Sequence, residues 1–185
     1  MTTEMVKNFG NNGLEVLVKL FNKIWDEERI PIDWEVGVIL PLHKKGDNKD
    51  CNNYRGITLL STMVKLYERI LEKKLKYVTE VQLEESQCGF RKGRGVQDHI
   101  FTMKQLIEKN VNNTIYVVFV DVEKAFDSVP RKVVWNSLQQ RGISKKLEKA
   151  ICSIYRNTRN YVRTGKLQSE EFVTKEGLRQ GGVLS

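Results

Sequence analysis

The chain is 185 residues long, with 40% hydrophobic and 29% charged residues, which suits one soluble domain with room for a sizeable core. Lysine and arginine number 31 against 23 acidic residues, a formal charge of +8 that favours polyanionic partners without proving one. No segment has the apolar length of a membrane span or the h-region of a secretory signal, so an intracellular protein, in nucleus or cytoplasm, is expected. The three cysteines, Cys51, Cys88 and Cys152, are scattered, and His43 and His99 are the only histidines. A disulfide scaffold, a zinc site and histidine-based nucleophilic catalysis are therefore disfavoured.

In chain order, Leu14, Leu17, Val18, Phe21, Ile24 and Trp25 recur at helical spacing and predict a helix over 14–28, ended by Ile30-Pro31. Residues 36–42 read as a strand, and the polar stretch 43–54 as a loop. Ser61 is placed to cap a helix over 61–78 whose stripe is Val64, Tyr67, Leu71, Leu75 and Val78. A glycine-bearing loop over 84–95 precedes a helix over 96–109, with Val96, Ile100, Met103, Leu106 and Ile107 as its expected buried face. After a turn at 110–113, Ile115 to Val122 is the clearest strand pattern in the chain. It is β-branched or aromatic without polar alternation, so a central strand buried on both faces is expected. Helices over 131–140, after Pro130, and 145–157, capped by Ser144, follow, and 160–164 is expected to pair with 171–174 across Gly165. The last residues, Arg179 to Ser185, read as a lead into a helix, so the domain is expected to continue past them.

The strongest chemical signal is Asp121-Val122-Glu123-Lys124-Ala125-Phe126-Asp127. A carboxylate at the end of a buried strand is costly unless it binds something, and a hard divalent cation is one such partner. Taken alone, Asp121 is as well explained by capping the next turn, and Phe126 by core packing. Lys44, Lys45, Arg55 and Arg91 lie near strand or helix ends, where they could meet phosphate or simply face solvent. Neither a P-loop nor a dinucleotide-binding fingerprint is present.

Four blocks in order resemble the reverse transcriptase domain of non-LTR (LINE-like) retrotransposons. They are Ile30-Pro31-x-x-Trp34 through Leu42-x-Lys44-Lys45-Gly46-Asp47 to Asn53-Tyr54-Arg55-Gly56-Ile57-Thr58-Leu59-Leu60; Gln87-Cys88-Gly89-Phe90-Arg91-Lys92-Gly93-Arg94-Gly95; Asp121 to Asp127; and Gly177-Leu178-Arg179-Gln180-Gly181. The resemblance implies an α/β (α+β) fold: the fingers and incomplete palm of a right-hand polymerase, helix-rich with a small palm sheet. It divides the chain into a helical lead-in (1–29), a fingers-like region (30–114) and a partial palm (115–185) that stops before the family's Asp-Asp hairpin and thumb. It implies Asp121 and the Val122 carbonyl as metal ligands for two Mg²⁺, and Phe126 as a gate against a 2′-hydroxyl. Arg55 and Lys44 would reach the incoming triphosphate, and Gln180 and Gly181 would lie beside the nascent base pair. Lys45, Arg91, Lys92 and Arg94 would contact nucleic acid. The implied partners are an RNA template, a DNA primer and deoxynucleoside triphosphates, with no membrane. The chain departs from the family at Gly56 and at Gly182-Val183, where prolines are usual. With one of three metal-binding carboxylates, the chain by itself is expected to be inactive. Other readings are a non-catalytic RNA- or DNA-binding remnant and a domesticated structural module in which Asp121 is a cap.

Overall fold

Hydrophobic periodicity sets most of the elements seen in the computed structural model, which describes residues 2–184. A short helix, α1 (Thr3–Lys7), is capped by the Thr2 hydroxyl, which accepts the Met5 N–H. The long helix α2 (Asn11–Glu27) buries Phe21 and Ile24 and stops where Glu28 turns left-handed, at φ 53°. A 3₁₀ turn at Ile32–Trp34 leads into β1 (Val36–His43), and β2 (Tyr54–Leu59) returns antiparallel, in register Val38↔Leu59 to His43↔Tyr54. α3 (Thr62–Thr79) starts beside Ser61, whose hydroxyl accepts the Val64 N–H, and buries Met63, Val64, Tyr67 and Leu71.

Later in the chain come a single turn, α5 (Ala125–Ser128), then α6 (Arg131–Gln140) and α7 (Lys145–Tyr155). Between α3 and α5 lies α4 (Val96–Lys109). Ser144 caps α7 by accepting the Leu147 N–H. β3 (Arg159–Thr164) then joins β1 in parallel, Val36↔Arg159 to Ile39↔Val162. That parallel pairing needs a long crossover, which the intervening chain provides. The arm returning through Gly165 is split into β4 (Leu167–Gln168) and β5 (Phe172–Val173), both antiparallel to β3. Between the two pieces the Ser169 hydroxyl accepts the Val162 N–H. The mixed sheet runs β2-β1-β3-β4, with β5 also on β3.

The core is one cluster joining Phe21, Trp34, Tyr67, Leu71, Leu147, Ile151, Ile154 and Tyr155. Each such side chain contributes about 1.5–3 kcal/mol by leaving water. Phe21, Trp34 and Tyr67 meet as a ring triad with centroids 5.5–6.2 Å apart. The chain separates into two compact units, residues 1–78 with 124–185, and residues 79–123. The sheet and this core belong to the first.

Two expectations are corrected, and one strand was not anticipated. The expected loop ends one residue early, at Asn53, and residues 54–59, beyond Tyr54 unassigned from the sequence, form a strand whose Tyr54, Ile57 and Thr58 signal is masked by Gly56 and the asparagines before it. Residues 115–122 are not a strand: they have no ladder partner among the described residues, and Tyr116, Phe119 and Val120 are 85–90% exposed. Strand propensity reports fitness for a half-buried pleated surface, and nothing described here supplies that surface. Finally, α4 has the expected bounds but buries no residue; Val96, Ile100, Leu106 and Ile107 are exposed. The last residue of the expected helix lead-in, Ser185, lies outside the described residues.

Candidate substrate site around the Arg-Gln-Gly loop

The loop 177–182 is held at both ends by backbone hydrogen bonds to distant segments. Gly177 N–H donates to the Val129 carbonyl at 2.9 Å, and Leu178 N–H to the Phe126 carbonyl at 2.7 Å. Farther on, the Thr58 N–H of β2 donates to the Gln180 carbonyl at 2.6 Å. Two glycines make these approaches possible. A Cβ at Gly177 (φ +76°) would sit 2.6–2.7 Å from the carbonyl oxygens of Asp127 and Phe126, and one at Gly181 (φ +115°) would sit 2.5 Å from that of Thr58. Both positions also have a backbone conformation that L side chains avoid.

Two arginines brace this loop from below. Arg131 donates through Nε to the Gly177 carbonyl at 2.9 Å and through Nη1 to the Tyr155 carbonyl at 2.7 Å. Arg179, only 3% exposed, donates to the carbonyls of Trp34, Glu35 and Ile154 at 3.0–3.2 Å. Burial pulls both guanidinium groups below the usual arginine value. The fork of donors lets one side chain satisfy several carbonyls at once. The result is a cavity of about 180 Å³ lined by Ile39, Thr58, Asp127, Arg131, Asn160 and Gln180 among others. Asn160 is buried; its amide nitrogen donates to the Thr174 hydroxyl at 2.9 Å, while its Oδ1 has no partner.

Of the residues singled out from the sequence, Phe126, Gln180 and Gly181 are gathered here, each through the contacts just given. Phe126 is half-buried on α5. Arg55 lies exposed on β2 opposite Leu42. Lys44 and Lys45 are exposed at the tip of the β1–β2 hairpin, where the Lys44 N–H donates to the Asn53 carbonyl at 2.8 Å. That tip is stitched by Asp47, which accepts from Lys49, and by Tyr54, whose hydroxyl donates to the Asn48 carbonyl. Lys124, at the start of α5, donates to Asn52 Oδ1 at 2.8 Å, tying α5 to the same hairpin.

The other candidates belong to the second unit. Asp121 and Val122 lie exposed in its irregular segment. Arg91 is drawn inward: it pairs with Glu80 at 2.9 Å and donates to the carbonyls of Glu84 and Gln87, so it clamps its own loop. Arg94 pairs with Glu85, while Lys92 is exposed. For a two-ion centre, the donors proposed are the Asp121 carboxylate and the Val122 carbonyl. Among the described residues no group of three or more His, Cys, Asp or Glu side chains converges. The residues present do not fit a pair of divalent ions, which needs more oxygen ligands than these.

Sequence reasoning missed Arg131, Asn160 and Glu68. Arg131 and Asn160 carry no signal in isolation. Glu68 does: it falls on the same helical face as Val64, Tyr67 and Leu71, a charge in an apolar stripe.

The reverse transcriptase (RNA-dependent DNA polymerase) family matches residues 42–185. The chain belongs to the reverse transcriptase family. It is 29% identical over 181 residues to a probable RNA-directed DNA polymerase from transposon BS of Drosophila melanogaster, covering 91% of this chain and 19% of that protein. It is 28% identical over 159 residues to a Pol polyprotein from the type-1 retrotransposable element R2 of Popillia japonica, covering 84% and 22%. With the polymerase of the mobile element jockey of Drosophila melanogaster it shares 30% over 125 residues, 64% of this chain and 14% of that one. These relatives are non-LTR retrotransposon polymerases, the branch its sequence blocks resemble, and the chain spans about a fifth or less of their length.

Proposed function

We propose that this reverse transcriptase chain supplies the nucleotide-facing part of the fingers and palm of an RNA-directed DNA polymerase. The observation that carries the reading is the convergence of three family blocks, far apart in sequence, on one loop. The block around Thr58, the block containing Phe126 and the Gly177-to-Gly181 block are hydrogen-bonded together at 2.6–2.9 Å. In the complete polymerase the reaction would be attack of a primer 3′-hydroxyl on the α-phosphate of a deoxynucleoside triphosphate, directed by an RNA template. In that setting Phe126 would limit the space beside the sugar, and Gln180 and Gly181 would bear on the base pair being formed. Arg55, Lys44 and Lys45 would meet phosphate, as would Lys92 of the other unit. Asp121 and the Val122 carbonyl would serve a Mg²⁺ ion only when further carboxylates complete the set. For that reason the chain alone binds nucleic acid and nucleotide without polymerising.

The test is direct. The purified chain is mixed with a labelled RNA–DNA primer–template and assayed for binding and for extension. The reading expects binding that weakens as salt rises and loses strength in Arg55→Ala, with no extension in Mg²⁺. Absence of binding at low salt would end the reading, and templated extension would end the claim of inactivity. Among the described residues no helix is long and apolar enough to cross a membrane.

A further inference from the structure

Glu68 is the most deeply buried charged side chain of the core: on α3 it has 0% exposure, among Val64, Tyr67 and Leu71. One of its carboxylate oxygens accepts the Val183 N–H at 2.7 Å, and the other has no hydrogen-bond partner. Also without hydrogen-bond partners, and also buried, are the hydroxyl of Tyr67 and the Nε of Arg179. A core that only needed filling would be better served by leucine at position 68, because a buried carboxylate is costly unless something answers it.

What answers it is the loop of the candidate site. Arg179 stands on one side of Gln180-Gly181, fixed to the carbonyls of Trp34, Glu35 and Ile154. Val183 stands on the other side, fixed to Glu68. Between these two buried anchors the Thr58 N–H donates to the Gln180 carbonyl at 2.6 Å, and the Gly182 N–H closes the turn on the Arg179 carbonyl at 2.8 Å. We propose that Glu68 is a positioning residue: its carboxylate holds Val183, and with Arg179 it fixes where Gln180 and Gly181 are presented. The substrate role of those two residues rests on the function proposed above; the positioning itself does not.

The charge state of Glu68 is set by groups on several elements. Burial raises its carboxyl above the usual range, while the Val183 N–H, Arg179 and Lys65 act the other way. Tyr155 of α7 lies within its electrostatic reach, and Tyr67 is its neighbour on α3. Neutralising the carboxylate therefore weakens a charge-assisted bond to one of roughly half the strength and leaves Arg179 with less opposing charge, chiefly that of Glu35.

The experiment uses the full chain, isotope-labelled, followed by NMR through a pH titration. The carboxyl carbon of Glu68 and the amides of Gln180, Gly181 and Val183 are expected to move with one shared midpoint. In Glu68→Gln, which keeps size and an acceptor oxygen, that shared movement disappears and amide exchange at Val183 accelerates roughly tenfold. The circular dichroism of Glu68→Gln stays that of the wild type. If Gln180 and Gly181 do not follow the Glu68 midpoint, or if exchange at Val183 is unchanged in Glu68→Gln, the positioning role is overturned. Binding of primer–template with a deoxynucleotide is measured on the same samples. Coupled titration without any binding would uphold the latch and overturn only the substrate reading; binding without coupling would do the reverse.

Discussion

In one unit of this protein α3 buries Met63, Val64, Tyr67 and Leu71; in the other, α4 leaves Val96, Ile100 and Ile107 in water. Both helices carry an apolar stripe at the same spacing. The difference lies in what each stripe meets. α3 shares a core with Phe21 of α2 and Ile154 of α7. The second unit is held instead by local polar contacts: the Arg91 clamp on Glu80, Glu84 and Gln87, the Arg94–Glu85 pair, and the Asp98 carboxylate accepting the Gly95 N–H. Apart from the partly buried Arg91–Glu80 pair, these contacts are exposed and contribute little each. The comparison teaches that an amphipathic pattern specifies a face but not its stability, which comes from the surface that covers it.

The largest consequence concerns core deletions. Leu71→Ala should cost about 2–5 kcal/mol in urea unfolding, as expected for a fully buried leucine. Ile100→Ala, at a site 62% exposed, should change stability by no more than about 0.5 kcal/mol. Trp25, Trp34 and Trp135 all lie in the first unit, so fluorescence follows Leu71→Ala, while far-UV circular dichroism, which sees the helices of both units, follows Ile100→Ala. A large loss at Ile100 would mean that α4 is covered in solution.

A second pair separates close packing from backbone strain. Gly177 and Gly93 have nearly the same left-handed conformation, φ +76° and +74°. Alanine at Gly93 meets nothing within 4 Å, whereas at Gly177 it meets two backbone carbonyls. Gly93→Ala should therefore cost about 1 kcal/mol and Gly177→Ala clearly more, with a shift in the loop that carries Gln180. Equal costs would show that the loop yields despite its hydrogen bonds to the Val129 and Phe126 carbonyls.

Much of this was legible in advance, and the failures share a cause. The helix stripes, the Ser61 and Ser144 caps and the strand expected over 36–42 depend on local periodicity and turn chemistry, which a single sequence carries. Gly177 and Gly181 could be singled out, but not the reason for them, which is the approach of Thr58, Phe126 and Asp127 from elsewhere in the chain. Residues 115–122 have strand composition without a partner among the described residues, and strand formation is a pairwise property that one segment cannot encode alone. Glu68 was readable as a charge in an apolar stripe; that it holds Val183 was not.

Alkaline pH tests the packing of the first unit in another way. Burial pushes the Tyr67 hydroxyl up to about 12 and raises that of Tyr155 further. In the unfolded chain these groups ionise near the ordinary tyrosine value of about 10. Their contribution is fully present below that value, and it is lost as pH rises from there through the folded values, because the unfolded chain gives up its protons first. Stability should fall by up to ~1.4 kcal/mol per pH unit for each such group, and Tyr67→Phe should reduce the slope. A slope unaltered by Tyr67→Phe would mean that this hydroxyl already has access to water.

The smallest effect is a difference in local opening, and the cysteines report it without mutation. Cys51 is exposed in the first unit, Cys88 is buried in the second, and Cys152 lies partly buried on α7, its thiol pushed up to about 11 by burial. A thiol reagent attacks the thiolate, so both access and ionisation count. Cys51 should react first. Opening separates the other two: Cys88 belongs to the locally bonded unit, whereas Cys152, with its raised thiol, sits in the helix that carries Ile151 and Ile154 into the main core. Urea well below the tryptophan-detected transition should therefore accelerate labelling of Cys88 and leave Cys152 slow. Should both accelerate together, the two units open as one, and the contrast between α3 and α4 would be one of exposure alone, not of stability.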